Sequence, residues 1–376
     1  MIEWSGELDI TLEDCFDEIV PFEQCVLFDI ETTGFSAQNT FCYLIGYCYY
    51  ENQTWKYRML FNDDSRSELS IIQEFADVLS HYDYVVHYNG DGFDIPYLIE
   101  KYHQYRSFGF EFAHPLDFAS VQSIDLYKII KKYKKGLPLP NLKLPTVEAA
   151  LGIIRKDAYT GGELVHVYKK YADTRSDELE QLLFRHNYED ITAMIPMLRI
   201  FSFLMFEKNH YTIQNIDLFE KTESNDCMQY IKISLLLEYQ LPFFYQTVCN
   251  NITLTISDSV GVLTIPVFEA ELKYYIHNWK DYYYLPLENK VIHKSIGAYV
   301  DSTYKEKATK SNCYLTKTAM YLPLPWNYKQ IPSDWKNTSQ LKVYQYDIQD
   351  KICYIEYSDA LLNNEALFTG FIRYMF

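Results

Sequence analysis

The stretch Cys25-Val26-Leu27-Phe28-Asp29-Ile30-Glu31-Thr32-Thr33-Gly34 opens on four apolar residues and then sets two carboxylates two positions apart, just ahead of a glycine. A short apolar run of this kind, bounded by turn residues, reads as a buried strand. Side chains alternate across a strand, so Asp29 and Glu31 project from the same face. Two carboxylates held close at a strand end repel each other, and a divalent cation is one counter-ion that settles them. An exposed Asp and Glu at a strand terminus is the ordinary alternative, so the pair by itself does not make a metal site.

Working outward, two further β-like stretches follow at residues 40–50 and 54–62, with Glu51-Asn52-Gln53 as the turn between them. Three sequential strands on short turns predict a meander. Residues 67–81 carry Leu69, Ile72, Phe75, Ala76 and Leu79 at helical spacing. Tyr84-Val85-Val86-His87-Tyr88-Asn89 predicts another strand, and Gly90-Asp91-Gly92 a turn. A helix is expected from Asp94 to Tyr105, with Pro96 tolerated in its first turn. Residues 123–133 read as a strand end running into a basic helix, residues 145–151 as a short helix stopped by Gly152, and residues 177–206 as a helical region. Strands first, then alternating helices and strands, predict an α/β architecture with a mixed sheet covered by helices.

Two more pieces of this half carry candidate chemistry. Asp94 follows a glycine-flanked turn and stands at the start of a helix, where an Asp can equally serve as a cap. Asn89 and Phe93 on the same turn could hold a sugar or a base edge, or form the turn and pack inward. In His186-Asn187-Tyr188-Glu189-Asp190, residues 186 and 190 lie one helical turn apart on one face. His186 would sit beside the Asp190 carboxylate, able to take a proton from water; a structural His–Asp pair is the bland alternative. Glu189 points elsewhere and is the weaker metal ligand.

Asp-x-Glu with Thr-Thr-Gly, then Asn-x-x-x-Phe-Asp, then His-x-x-x-Asp, resembles the three motifs of the DEDD exonuclease superfamily. The middle piece is similar to the proofreading domain of family B DNA polymerases. With Asn141-Leu142-Lys143 and residues 148–153, the stretch from Gln24 to Ile200 most resembles a bacterial branch of exonucleases with ribonuclease-H-like domains. The resemblance implies a five-stranded mixed sheet flanked by helices and 3′→5′ hydrolysis of DNA or RNA, with a single-stranded 3′ end as partner. Carried over position by position, it makes Asp29, Glu31, Asp94 and Asp190 the ligands of two Mg²⁺ or Mn²⁺ ions, ~4 Å apart. Thr32, Asn89, Phe93, Lys128, Lys131 and Lys132 are then the expected substrate contacts. The superfamily places a Tyr four residues, or a His five residues, before its last Asp. Here His186 takes the four-before position and Arg185 the five-before one, so His186 is the candidate general base. That hybrid keeps two other readings open: a catalytically weak nucleic-acid-binding module retaining the fold, and a ribonuclease-H-class endonuclease.

At 376 residues the chain suggests two domains, taken as 1–205 and 206–376. A net charge of −17 argues against a uniformly basic nucleic-acid binder and confines such contacts to local patches. One is Lys128, Lys131, Lys132, Lys134 and Lys135, a candidate phosphate track or a solvated helix face. The other, in the second half, is Lys290, Lys294, Lys305, Lys307, Lys310 and Lys317, interleaved with Tyr299, Tyr304 and Tyr314. The 36 tyrosines, and 26 lysines against 8 arginines, suggest the coding bias of an AT-rich genome, which the base composition of the gene would test and which weakens tyrosine as a sign of base stacking. The eight cysteines form no C-x-x-C pair and predict neither a zinc site nor a disulfide framework. Residues 1–23 are acidic and lack the order of a secretory signal, and the apolar run 191–206 is broken by Arg199, short of the ~20 residues that span a bilayer. A cytoplasmic protein without membrane association is expected. The second half shows short β-like stretches (251–256, 260–267, 342–346) with some helix, predicting an α+β domain of unspecified fold.

Overall fold

In the computed structural model, which describes residues 1–12, 14–157, 159–223, 226–331 and 341–376, the chain divides into two compact units. The first comprises Met1–Met205 with Leu241–Phe243, the second Phe206–Gln240 with Phe244–Phe376.

The first unit is built on the strands β1 (Ile2–Leu8), β2 (Cys25–Thr32), β3 (Cys42–Glu51) and β4 (Thr54–Phe61). Helix α1 (Glu68–Leu79) and strand β5 (Tyr84–His87) follow, then α2 (Asp94–Ser107), strand β6 (Gln122–Asp125) and α3 (Leu126–Lys132). The unit continues through α4 (Leu144–Ala150), α5 (Gly161–Thr174), α6 (Asp177–Met197) and α7 (Phe201–Glu207), which runs across the unit boundary. The strands form one mixed sheet in the order β1-β4-β3-β2-β5-β6. β2, β3 and β4 make the expected antiparallel meander, while β5 and β6 run parallel to β2. This is a ribonuclease-H-like α/β fold.

The sheet has six strands rather than five. β1 lies within the acidic lead-in and pairs with β4 from Ile2↔Phe61 to Leu8↔Trp55. Its alternation of Ile2, Trp4 and Leu8 with Glu3, Ser5 and Glu7 is interrupted only at Gly6, and Trp4 stacks on Phe61 (ring centroids 5.1 Å apart) and meets Phe184 edge-on. Helix α5, not among the expected elements, starts on a capping box between Thr160 and Glu163.

Alternation along β2 divides the labour of its two faces. Val26, Phe28 and Ile30 enter a core with Ile71, Ile72, Phe75, Ala76 and Leu79 of α1, Phe28 and Phe75 lying 5.1 Å apart. Asp29 and Glu31 point the other way, toward α6. On β3, Gly46 stands opposite Asp29, and a Cβ there would collide with the Asn187 carboxamide and Ile191. The missing side chain lets α6 approach the sheet closely enough to reach Asp29.

The second unit is strand-rich. β7 (Tyr211–Glu223), β8 (Asp226–Leu237), β9 (Tyr245–Cys249), β10 (Ile252–Ser257) and β11 (Val260–Tyr275) are followed by β12 (Tyr282–Leu285), β13 (Lys290–His293) and β14 (Glu306–Lys307). β15 (Tyr314–Pro323), β16 (Val343–Tyr344), β17 (Tyr354–Glu356) and a helix at Glu365–Met375 complete it. The long strand β11 pairs first with β8 and β10 and then with β15, while β13-β12-β14 form a separate small sheet. Among the described residues no helix is long and apolar enough to cross a membrane.

Candidate active site

Four elements bring the acidic residues together. β2 supplies Asp29 and Glu31. Its parallel pairing with β5 ends at Leu27↔Val86, which leaves the next inward N–H without a strand partner. Asp94, at the first position of α2, fills that gap: its Oδ1 accepts the Ile30 N–H at 3.2 Å. The carboxylate therefore caps a strand, a task the sequence reading assigned to neither of its alternatives. α6 presents His186 and Asp190 on its buried face, as the four-residue spacing predicted, and Asn187 is buried beside them.

His186 Nε2 lies 3.3 Å from Glu31 Oε1 and 3.4 Å from Asp190 Oδ2. One ligand atom from each of Glu31, His186 and Asp190 falls within 4.8 Å of the other two, and all three residues are buried. Asn187 Nδ2 donates to Asp29 Oδ2 at 2.9 Å, and the Tyr43 hydroxyl donates to Glu31 Oε2 at 3.3 Å. Electrostatics follow from this crowding. Burial, then the like charges of Asp94 and Glu31, push the Asp29 carboxyl far above its ordinary range. Burial also raises Glu31, and it pushes Asp94 up to about 7. Carboxyls that resist ionisation together are a donor set that a cation would relieve, so the residues present fit a divalent metal. Glu31 and Asp190 offer the hard oxygens suited to Mg²⁺ or Mn²⁺.

Arg155, Lys156 and Asp157, in the stretch after α4, pack against this cluster and α6, and the sequence reading missed their contribution. Arg155 is ion-paired with Asp190, while its Nε lies 3.1 Å from Glu148 Oε2 on α4. Burial raises the Glu148 carboxyl, with the Arg155 charge opposing the shift. Glu189 Oε2 accepts the backbone N–H groups of both Lys156 and Asp157 at 3.0 Å, which explains why this carboxylate faces away from the cluster. Asp157 Oδ2 in turn lies 2.5 Å from His186 Nδ1. Asp157 follows Arg155 by two positions on an irregular segment, so no periodicity in the sequence marks either residue.

The expected substrate contacts have mixed surroundings. Thr32 donates its hydroxyl to the Gly34 carbonyl at 2.9 Å, at the β2 bulge where the register slips between Glu31 and Thr32. Asn89 adopts a left-handed conformation (φ 64°), and its N–H donates to Asp125. Phe93 meets the ring of Phe35 at 5.9 Å, and Phe35 itself is 94% exposed. Lys128 pairs with Asp91 at 2.6 Å, and Lys131 and Lys132 lie over the rings of Tyr127 and Tyr133. In the second unit Lys317 pairs with Glu356, and Lys305 donates to the carbonyls of Gly297 and Val300. Those partners turn part of both basic patches inward to local structure.

Residues 26–202 match the model of a family described as belonging to the ribonuclease H superfamily. No curated protein sequence matches the chain. Among solved structures, the family B DNA polymerase of the hyperthermophilic archaeon Pyrobaculum calidifontis is similar at 17% identity and a TM-score of 0.39, over 49% of this chain and 25% of the polymerase. Exonuclease I of E. coli in complex with a 5cy-dA13 oligonucleotide is similar at 11% identity and a TM-score of 0.32, over 57% of this chain and 55% of that one. The chain thus spans a quarter of the first and about half of the second.

Proposed function

We propose that this chain, whose residues 26–202 form a ribonuclease-H-superfamily domain, is a divalent-metal-dependent nuclease that removes nucleotides from a 3′ end of DNA or RNA. The observation that carries the reading is the meeting of Glu31, His186 and Asp190 within 4.8 Å, with Asp29 and Asp94 coupled to the same buried cluster by repulsion. Residues from three parts of the chain, spanning more than 150 positions from first to last, meet in a buried cluster that pure packing does not require.

Asp29, Glu31, Asp94 and Asp190 would hold two Mg²⁺ or Mn²⁺ ions, which when bound neutralise the carboxylates and polarise the phosphate. His186 Nε2 faces the cluster and stands where it can take a proton from water. The oxygen of that water forms a bond to phosphorus, the P–O3′ bond breaks, and the leaving 3′ oxygen takes its proton from solvent. Asn187 holds Asp29 in one orientation throughout, and Tyr43 does the same for Glu31. Thr32, Asn89 and Phe93 border the strand end and the turn from which substrate would approach. The second unit, Phe206–Gln240 with Phe244–Phe376, acts as an accessory body for substrate or partner.

The Arg155–Asp190 ion pair favours a second reading, a nucleic-acid-binding module of low activity, because a permanent cation already lies on one of the four carboxylates. One experiment separates the two. Oligonucleotides labelled at either end are incubated with Mg²⁺ or Mn²⁺ and with the parent chain or the Asp29→Ala/Glu31→Ala variant. Stepwise shortening from the 3′ end by the parent alone is expected. Equal activity in both proteins, or binding without turnover under both metals, defeats the nuclease assignment, and cleavage of circular strands redirects it to an endonuclease.

A further inference from the structure

We propose that Asp157 is a positioning residue that fixes the tautomer of His186, so that the ring's unprotonated nitrogen faces the carboxylate cluster. The inference deepens the nuclease reading and rests on it for its catalytic consequence, though the tautomer is a property of the chain alone.

The geometry is specific. His186 has two ring nitrogens in different company: Nδ1 lies 2.5 Å from Asp157 Oδ2, while Nε2 lies 3.3 and 3.4 Å from Glu31 and Asp190. A neutral imidazole carries one N–H, and which nitrogen bears it is decided by the hydrogen bonds on offer. A carboxylate oxygen that accepts from Nδ1 holds the proton there, and in the neutral ring this leaves the Nε2 lone pair toward the site. The Asp157 side chain is 3% exposed, which removes water as a competing partner for Nδ1. Asp157 is itself held in place from behind: its backbone N–H and that of Lys156 donate to Glu189 on the helix that carries His186. The segment is fastened again by Arg155 on Asp190, also on that helix. Histidine and carboxylate are therefore clamped to one rigid element, although they lie 29 positions apart.

Asp157→Asn is the discriminating change, because it is nearly isosteric but offers an N–H donor. An Asn that donates to Nδ1 drives the proton to Nε2 and turns the lone pair away from the cluster.

The test uses the full chain labelled with ¹⁵N-histidine, recorded in metal-free buffer at about pH 9, above the imidazole range. The His186 resonances are identified by their loss in His186→Gln. Protonation at Nδ1 is expected in the parent and in Asp157→Glu, and at Nε2 in Asp157→Asn. With Mn²⁺ and a labelled oligonucleotide, Asp157→Asn is expected to lose at least ~100-fold in kcat with KM changed less than about threefold, and Asp157→Glu to recover part of the loss. A parent ring protonated at Nε2, or a tautomer that Asp157→Asn leaves unchanged, overturns the proposal even if the protein is an active nuclease. The expected tautomers in a protein that cleaves nothing uphold the positioning role while the nuclease reading fails.

Discussion

Asn187 Nδ2 donates to Asp29 Oδ2 at 2.9 Å, joining two residues 158 positions apart. The bond ties the middle of α6 to the strand that carries the first carboxylate. It exists because β3 has a glycine where any Cβ would strike the Asn187 side chain. The contact also opposes the upward shift of Asp29 by stabilising its ionised form. Asn187→Ala is therefore expected to make Asp29 harder to ionise and to weaken Mn²⁺ binding roughly tenfold or more at neutral pH, as losses behind a metal ligand commonly do. Isothermal titration reads this directly; unchanged affinity would mean that the bond does not support a metal ligand.

Gly46→Ala tests the same approach from the other side. Overpacking costs about 1–3 kcal/mol in a close-packed interior, and here the neighbour that must yield is Asn187. A lower urea midpoint together with weaker Mn²⁺ binding is expected. A stability loss with the metal titration unchanged would show that the glycine serves packing alone.

The raised carboxyls predict a pH dependence whose sign is fixed. Asp94 titrates at about 7 in the folded chain, against an ordinary value of 3.8. The folded state thus holds the proton more tightly than the unfolded one. That contribution is complete below pH 3.8 and is lost as pH rises through about 7. Asp29 and Glu31 shift in the same direction. Without metal, thermal stability should fall between about pH 4 and about pH 7, each unit of differential pKa being worth about 1.4 kcal/mol. Mn²⁺ should raise the melting temperature more at about pH 8 than at about pH 5.5, because protons and cations compete for the same oxygens. Calorimetric scans across this range check both slopes. A metal-induced rise that is independent of pH would place the ion elsewhere.

Much of this arrangement was legible in the sequence, for identifiable reasons. Asp29 and Glu31 were placed by the period of a strand, and His186 and Asp190 by the period of a helix; both depend only on local geometry. The meander and the parallel strands followed from short turns and apolar runs. Arg155, Asp157 and Asn187 were not legible. The first two sit on a segment without regular structure, and all three acquire partners only when distant elements pack together. β1 was hidden for a different reason: Gly6 interrupts the apolar face of Ile2, Trp4 and Leu8, so the alternation of this edge strand rests on three residues. In the second unit, strands as short as β14 and β16 leave too few residues for any period to show.

Phe35, beside the Asp-x-Glu strand, is 94% exposed, and its ring meets Phe93 at 5.9 Å. An aromatic face left in water next to a candidate nuclease site is suited to stacking on a base, and such stacking is worth about 1–3 kcal/mol by alanine substitution. Phe35→Ala is expected to weaken single-strand binding about tenfold, measured by fluorescence anisotropy in Ca²⁺ to prevent turnover. Because the side chain is out of the core, the melting temperature should stay within about one degree. Equal binding by the variant would leave Phe35 as a solvent-facing loop residue and nothing more.

Arg155 links Asp190 with Glu148, two carboxylates that are otherwise buried without a full counter-charge. Removing one partner of a buried ion pair costs about 3–5 kcal/mol, because the charge left behind has no solvent to return to. Arg155→Met should therefore lower the denaturation midpoint substantially, and Glu148→Gln in the same chain should recover much of the loss by removing one of the two stranded charges. The guanidinium and a metal ion both need the Asp190 carboxylate. Without the arginine, Mn²⁺ should bind more tightly and raise the melting temperature by more than it does in the parent. If Mn²⁺ stabilises the two proteins equally, Arg155 does not compete for the cation site, and its pairing with Asp190 is compatible with a bound metal.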